Sequence, residues 1–92
     1  MKYHVLWDIG HACDGLSETF PTIEDAKPSV TAIYEGWIES GLDQTADEWN
    51  DMIETCSAWI ATYDPETDEY EDVWWMPYEE LEQMGWKERS EE

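Results

Sequence analysis

Carboxylates are the side chains of this protein that could do chemistry, and they are most concentrated in the stretch DPETDEYED, residues 64–72. Alternating acids resemble a calcium-binding loop, in which carboxylate oxygens surround the ion. The EF-hand form of that loop requires glycine at its sixth position and a bidentate glutamate at its twelfth. Counted from Asp64, these positions hold Glu69 and Trp75, so no EF-hand is predicted. Weak binding of a divalent cation stays open.

A second stretch with chemical potential is GHACDG, residues 10–15. His11 and Cys13 could form a zinc site with His4 and Cys56, but a single intervening residue is not the spacing of paired zinc ligands. The same two residues could form a cysteine–histidine nucleophile pair, yet nothing in the sequence orients them. We therefore predict a protein that is not an enzyme, with no catalytic residue, no metal and no cofactor.

The net charge is the most unusual property of the chain. It is −20, because 24 acidic residues face only four basic ones: Lys2, Lys27, Lys87 and Arg89. Residues 28–86 contain no lysine or arginine. A net charge of roughly 2 to 8 is usual for a small domain, since a field of one sign repels itself and lowers stability. We infer that the carboxylates serve a function, while solubility and adaptation to salt stay open as alternatives.

The length and composition predict one folded domain. A chain of 92 residues can build a single modest core, which we place in residues 1–86, followed by a frayed acidic tail at 87–92. Seven tryptophans, five tyrosines and 41% apolar residues argue against disorder throughout. No segment approaches the roughly 18 apolar residues of a membrane span, and the two cysteines have no redox spacing. We expect a soluble cytoplasmic protein with no membrane partner.

Three strands are predicted from local patterns. Apolar and polar residues alternate over residues 2–9, as in a half-buried strand, and a loop is expected at residues 10–21. Residues 57–63 and 70–76 are rich in aromatic and β-branched side chains, and the Asp64-Pro65 pair between them starts a turn. The last two strands therefore form a hairpin.

Two to three helices complete the predicted fold. The first begins near Asp25, which we prefer to Thr22 as N-cap because Pro28 fits best in a first turn. The second carries a capping box formed by Thr45 and Glu48, and a third spans residues 77–84. The order β-α-α-β-β-α predicts an α+β fold, in which a three-stranded antiparallel sheet is packed by these helices.

The predicted elements arrange the acids in two rows. Helical residues three or four apart share a face, which gives a first row of Asp47, Asp51 and Glu54, with Asp43 in the link before them. The hairpin gives a second row of Glu66, Asp68, Glu69, Glu71 and Asp72. Neighbouring strand residues point to opposite faces, so Trp74 or Trp75 should be exposed and add specificity. Such rows could occupy a cleft built for DNA phosphates, and an exposed tryptophan could equally support a homodimer.

One segment resembles a known family. The stretch GWIESGLDQTADEWNDMIET, residues 36–55, is similar to the small acidic anti-CRISPR proteins of bacteriophages and mobile elements in its Gly-Trp pair, its acidic link and an aromatic residue near Asn-Asp-Met. The resemblance implies an inhibitor of an RNA-guided nuclease, acting in the bacterial host cell. Its acidic patch would take the place of DNA in the site that reads the duplex beside the target, and here it comprises Asp43, Asp47, Glu48, Asp51 and Glu54.

These observations lead to one main hypothesis and two alternatives. The main hypothesis is a DNA-mimic inhibitor that blocks the nucleic-acid-binding site of a host defence enzyme and does not itself bind nucleic acid. The first alternative is a small acidic module that binds a basic partner without imitating DNA. The second is a metal- or glycan-binding module, in which tryptophan rings would stack on sugars.

Overall fold

A computed structural model describes residues 2–10 and 12–89 of the chain. Its elements are β1 (Tyr3–Ile9), β2 (Cys13–Phe20), α1 (Ile23–Ser40), a 3₁₀ turn (Gly41–Asp43), α2 (Ala46–Thr55), β3 (Cys56–Asp64), β4 (Glu69–Trp75) and α3 (Tyr78–Met84). The predicted α+β class with an antiparallel sheet and three helices is confirmed. The predicted strand number and element order are wrong, because the sheet has four strands and the order is β-β-α-α-β-β-α.

The sheet has the strand order β2-β1-β3-β4, and every neighbouring pair is antiparallel. In the central pair, Val5 lies opposite Ile60 and Trp7 lies opposite Ala58. Residues that face each other across an antiparallel pair point to the same side of the sheet. These four side chains therefore define the core face, on which the buried Ala26 and other α1 residues pack.

Strand β2 occupies the segment that was predicted to be a loop. Its sequence, CDGLSETF, lacks the alternation of apolar and polar residues that identifies a half-buried strand. The strand lies at the sheet edge, and its pairing with β1 is irregular between His4 and Leu6. Only Leu16 and Phe20 of this strand pack against the core, so the local pattern carries little signal.

Helix α1 begins one turn earlier than predicted. The Thr22 side chain, not that of Asp25, is the N-cap, and its Oγ1 accepts a hydrogen bond from the Asp25 amide at 3.1 Å. Pro28 consequently lies inside the helix, where it removes one backbone hydrogen bond. The Thr22 cap and the complete burial of Ala26 favour this longer helix.

The start of α2 and the end of α3 agree with their local signals. Thr45 Oγ1 accepts from the Glu48 amide at 3.2 Å, and the Thr45 amide donates to Glu48 Oε1 at 3.3 Å, which confirms the capping box. Helix α3 ends at Gly85, whose φ of 105° is the left-handed conformation that glycine adopts readily. Among the described residues, no helix combines the length and the apolar character needed to cross a membrane.

An aromatic cluster around Trp86 closes the core. Trp86 is 5% exposed, and its ring centroid lies 5.1 Å from that of Tyr34, 5.5 Å from that of Trp37 and 5.5 Å from that of Trp49. Tyr34 and Trp37 belong to α1 and Trp49 belongs to α2, so one side chain joins both helices. The turn after α3 positions it, because the Trp86 amide donates to the Leu81 carbonyl at 2.9 Å.

Residues 87–89 lie against α2, although the sequence placed them in a frayed tail. The Trp49 indole N–H donates to the Lys87 carbonyl at 2.7 Å, and the Asn50 side chain exchanges two hydrogen bonds with the Arg89 backbone, at 2.7 and 2.9 Å. The Arg89 guanidinium donates to the Gly41 carbonyl at 2.8 Å and covers the Trp49 ring at 3.9 Å. The remaining tail, 90–92, lies outside the described residues.

Two glycines give opposite predictions for substitution by alanine. A Cβ atom at Gly41 would overlap the ring of Trp49, whereas a Cβ atom at Gly36 meets nothing within 4 Å. We expect Gly41→Ala to lower the free energy of unfolding by about 1 to 3 kcal/mol through overpacking. Gly36→Ala should raise it by up to about 1 kcal/mol, because alanine is the better helix former. Urea denaturation measures both, and equal effects of the two substitutions would contradict the packing of Trp49 on Gly41.

The Tyr34 hydroxyl gives a second stability prediction. It accepts from the Ala58 amide at 3.0 Å and donates to the Ala58 carbonyl at 3.4 Å, just before Trp59 and Trp75 form the first pair of the β3–β4 ladder. Tyr34→Phe leaves both buried backbone groups without this partner and should cost about 1 to 3 kcal/mol. Tyr70→Phe, at an exposed position, is the matched control for urea denaturation. A Tyr34→Phe protein as stable as this control would contradict the assignment.

The same hydroxyl predicts a pH effect. Burial raises the pKa of Tyr34 above its usual value, so the folded state keeps the proton that an unfolded tyrosine loses near pH 10. The contribution of Tyr34 to stability is therefore complete below pH of about 10 and is lost as the pH rises through the raised pKa. In urea titrations from pH 8 to 11, the stability difference between the wild type and Tyr34→Phe should shrink at the alkaline end. A constant difference would contradict this expectation.

Candidate functional site

The carboxylates of the described residues face solvent almost without cationic partners. All of them except Asp8 are exposed. One ion pair occurs within residues 2–10 and 12–89, between Lys27 and Glu24 at 2.9 Å on α1. Arg89 is occupied by Gly41 and Trp49. The surface of the folded protein is therefore strongly negative.

The first predicted row lies on α2 and on the turn before it. Asp47, Asp51 and Glu54 are exposed on the side of the helix away from Trp49, which is fully buried. Their spacing of four and three residues aligns them along one helical face. Asp43 is exposed in the preceding 3₁₀ turn.

Glu48, the remaining acid of the patch that the resemblance implies, has a structural role. Its carboxylate accepts hydrogen bonds from the Thr45 amide and hydroxyl, at 3.3 and 3.0 Å, and so fixes the start of α2. It is still exposed, so it adds charge at the same end of the helix as Asp47. Its replacement would change both the helix cap and the charge, and Glu48 is therefore a poor position for testing charge alone.

One acid of the second predicted row, Asp68, shapes the hairpin turn together with Asp64, which precedes the row. Asp64 Oδ1 accepts from the Glu66 amide at 2.9 Å. Asp68 adopts a φ of 56° and its carboxylate accepts a hydrogen bond from the Tyr63 hydroxyl. That bond raises the pKa of Tyr63, since the hydroxyl must keep its proton to donate. Glu66 is exposed and makes no side-chain hydrogen bond among those found in the described residues.

The acids of β4 do not form one row, because they alternate between the two faces of the sheet. Glu71 pairs with Thr62 of β3, and the next residue, Asp72, pairs with Ala61. Neighbouring strand residues point to opposite faces. Glu71 therefore lies on the core-face side of the edge strand, together with Glu69, and Asp72 lies on the other side.

The two predicted acidic surfaces lie at opposite ends of β3. Helix α2 ends immediately before Cys56, and the hairpin turn follows Asp64. The nine residues of β3 span roughly 26 Å at about 3.3 Å per residue, and the hairpin acids extend back along part of this length, since Asp72 pairs with Ala61. The structure therefore gives two separate acidic surfaces: the α2 surface of Asp43, Asp47, Glu48, Asp51 and Glu54, and the hairpin surface of Glu66, Asp68, Glu69, Glu71 and Asp72.

A bulge in β4 precedes the two neighbouring tryptophans and decides which face of the sheet each one occupies. Ile60 pairs with Trp74 and Ala61 pairs with Asp72, so Val73 is an extra residue in the strand. Trp74 lies on the core face, where the Lys27 ammonium sits 5.2 Å from its ring centroid. Trp75 lies on the opposite face and is 48% exposed. Trp75 is thus the more exposed of the pair.

A feature that the sequence prediction missed is an aromatic surface on the side of the sheet away from the core. By pairing register, the residues of this open face are His4, Leu6, Trp59, Ala61, Tyr63, Tyr70 and Trp75. Trp59 and Trp75 stack with ring centroids 4.7 Å apart and an angle of 16° between planes. His4 contacts Tyr63 and Tyr70 edge to face, at 6.1 and 5.6 Å. None of these residues belongs to the core cluster that packs against the helices.

The sequence contained a signal for this open face. In β3, SAWIATY carries apolar or aromatic residues at both alternating sets of positions, whereas a strand with one solvated face carries polar residues at every second position. The side chains pack closely: a Cβ atom at Gly15 would lie 2.6 Å from Leu6 Cδ2, so a larger residue there would require the Leu6 side chain to move. The indole N–H of Trp59 is buried and has no hydrogen-bond acceptor among the described residues, an arrangement that costs about 1 to 3 kcal/mol.

The residues considered for a metal site do not come together in the described part of the chain. No group of three or more His, Cys, Asp or Glu residues there is placed to hold a metal ion. Both cysteines are free thiols; Cys13 is exposed, and burial raises the pKa of Cys56. His11, the other member of the predicted zinc alternative, lies outside the described residues.

Comparison with known proteins assigns no family. No protein-family model, no curated protein and no solved structure matches the chain. The similarity of residues 36–55 to anti-CRISPR proteins therefore stays a prediction. The chemistry of the two acidic surfaces and of the open face provides the basis for a functional interpretation.

The exposed charge predicts that salt stabilises the fold. Mutual repulsion among these carboxylates is screened as the Debye length falls from about 10 Å at 0.1 M to roughly 4 Å at 0.5 M. We expect Tm to rise by a few degrees over this range in NaCl, measured by circular dichroism. Neutralising Glu79, Glu80 and Glu82 on α3 with glutamine should reduce the salt effect. A Tm independent of salt would contradict significant repulsion.

Proposed function

We propose that this protein is a non-enzymatic DNA mimic that blocks the nucleic-acid-binding site of a host defence enzyme. The supporting observation is the density of uncompensated charge on a folded body. The net charge is −20, or two charges less without Glu91 and Glu92, which lie outside the described residues, and over a longest dimension of 50 Å it corresponds to roughly one negative charge per 2.5 to 3 Å. Duplex DNA carries one per about 1.7 Å of its axis. A cleft that attracts phosphates would therefore attract this surface as well.

The rigidity of the elements that carry the charge favours this role. Asp47 and Asp51 project from a helix that is capped by Thr45 and anchored by the buried Trp49. Charges held in place lose little conformational freedom when they bind, which improves affinity at a given buried area. The same field accelerates encounter with a basic partner, because opposite charges steer association.

The separation of the acidic surfaces suggests how the mimic engages its target. The α2 surface begins beside the start of β3 and the hairpin turn follows its end, so the acids are distributed along a strand of roughly 26 Å, which corresponds to about eight base pairs at 3.4 Å each. A basic groove that follows a duplex over that length could contact both. The resemblance of residues 36–55 makes an RNA-guided nuclease the favoured target, with the α2 surface in the site that reads the duplex beside the target sequence.

Charge-reversed variants test which surface binds. One variant carries Asp47→Lys, Asp51→Lys and Glu54→Lys, and a second carries Glu69→Lys, Glu71→Lys and Asp72→Lys. A matched control carries Glu79→Lys, Glu80→Lys and Glu82→Lys on α3, with the same change in net charge. We expect each of the first two variants to weaken binding to the target enzyme, captured from a bacterial lysate, by about tenfold or more. The control variant should weaken this binding less. Circular dichroism confirms folding, and a neutral Asp47→Asn, Asp51→Asn, Glu54→Gln variant avoids placing lysine near a helix N-terminus.

Competition with DNA tests mimicry itself. The wild-type protein is used to capture proteins from a bacterial lysate that contains an RNA-guided nuclease, and the column is then washed with duplex DNA. Release of a nucleic-acid-binding enzyme by DNA is the expected result. A retained basic protein that DNA does not displace would instead support the alternative of an acidic interaction module. Equal binding by all three charge-reversed variants would contradict a role for the two acidic surfaces.

A further inference from the structure

We infer that the open face is an arginine-binding surface for the protein partner, centred on the stacked pair of Trp59 and Trp75. Trp75 is 48% exposed, and its inner ring face is covered by Trp59 at 4.7 Å. This arrangement holds one indole ring in a fixed orientation with part of its surface open to solvent. An exposed aromatic ring that is already ordered loses little freedom on binding.

Carboxylates flank the tryptophan pair on the same face. Trp59 lies between Ser57 and Ala61 in the alternation of β3, and these two residues pair with Asp8 and Asp72 respectively. Asp72 lies on the same strand as Trp75, one step away in the alternation, at about 7 Å. Asp72 is exposed, whereas Asp8 is half-buried on β1, two strands from Trp75, with one oxygen accepting from the Gly10 amide at 2.7 Å. A cation above Trp75 would therefore have the carboxylate of Asp72 beside it.

The protein already binds its own cations in this way on the core side. The Arg89 guanidinium lies 3.9 Å over the Trp49 ring, and the Lys27 ammonium lies 5.2 Å from the centroid of Trp74. Residues 28–86, which include the whole of β3 and β4, contain no lysine or arginine that could cover Trp75 from the same strands. Lys87 lines a surface pocket with Trp75, but the cation–π contacts of the described residues are at Trp74 and Trp49, not at Trp75. The open face thus has the ring and an acid of such a site, and a partner can supply the cation.

The chemistry of the open face favours the arginine side chain of a basic protein as the bound cation. A guanidinium is planar and can stack on an indole while it donates two hydrogen bonds to a carboxylate, whereas an ammonium is a compact, strongly hydrated charge. A second copy of this chain, a nucleic acid or an anionic membrane would bring more negative charge to a chain of net charge −20. The occupant is therefore an arginine side chain of a cationic protein segment.

This inference rests on the proposed function in taking the partner to be a basic protein, and it adds a surface outside the α2 surface. Charge gives attraction that arginine and lysine share almost equally, since both carry one positive charge. A stacked ring gives discrimination between them. The open face would thus supply the specificity that the acidic surfaces lack.

Two synthetic peptides of equal charge test the inference without knowledge of the target. Calorimetry at low ionic strength compares an arginine nonamer with a lysine nonamer. We expect the wild type to bind the arginine peptide about tenfold more tightly. Trp75→Ala and Asp72→Asn should each reduce that preference to about twofold or less. Glu71→Gln is the matched control, because it removes the same charge from the adjacent residue on the other face and should keep the preference.

The outcomes separate this site from the proposed function. Equal affinity of the wild type for both peptides, or an arginine preference that survives in Trp75→Ala, would overturn the open-face site even if DNA competition succeeds. Trp75→Phe provides a second variant that keeps the stack on Trp59, and it should give an intermediate preference. A shift of the Trp75 indole N–H resonance on addition of the arginine peptide, without a shift for Trp49, would locate binding on the open face. A shift of the Trp49 resonance without a shift of the Trp75 resonance would contradict binding on the open face.

Discussion

The packing of Trp86 against Tyr34, Trp37 and Trp49 is the interaction on which the arrangement of the helices depends. A buried tryptophan removes about 150 to 250 Å² of surface from water, and this one joins α1 to α2 from the C-terminal end of the chain. Gly85 aims it inward through its left-handed conformation. The residues that follow then bind α2, so that Arg89 covers Trp49. Aromatic burial of this kind offsets the repulsion among the acids of a small domain.

Two of the four cations, Lys27 and Arg89, make contacts within the structure, whereas Lys2, Lys87 and nearly all of the described acids are exposed. Lys27 pairs with Glu24 and covers Trp74, while Arg89 is bound to Gly41 and Trp49. These contacts stabilise the fold and leave few basic residues on the exposed surface. The field of the molecule is consequently almost of one sign, which favours long-range attraction of a basic partner and disfavours self-association.

The sheet divides the molecule into surfaces with different chemistry. One face holds the helices and the core, and the other holds the stacked pair of Trp59 and Trp75 with carboxylates beside it. The α2 surface lies beside the start of β3, and the hairpin surface extends from the far end of β3 back along β4. Under the proposed function, the charge attracts and orients a basic partner, and the ordered aromatic surface distinguishes one cation from another.

Signals that depend on a few neighbouring residues were determined by the sequence: the capping box of Thr45 and Glu48, the hairpin at Asp64-Pro65, the helix end at Gly85 and the charge itself. The tertiary structure decided what depends on distant partners. Strand β2 has a weak local pattern and forms because β1 offers an edge to pair with. The bulge at Val73 determines which tryptophan faces solvent, since one extra residue reverses the face of every side chain beyond it. The separation of the two acidic surfaces follows from the length of β3, because an ordered strand fixes a distance that sequence proximity does not.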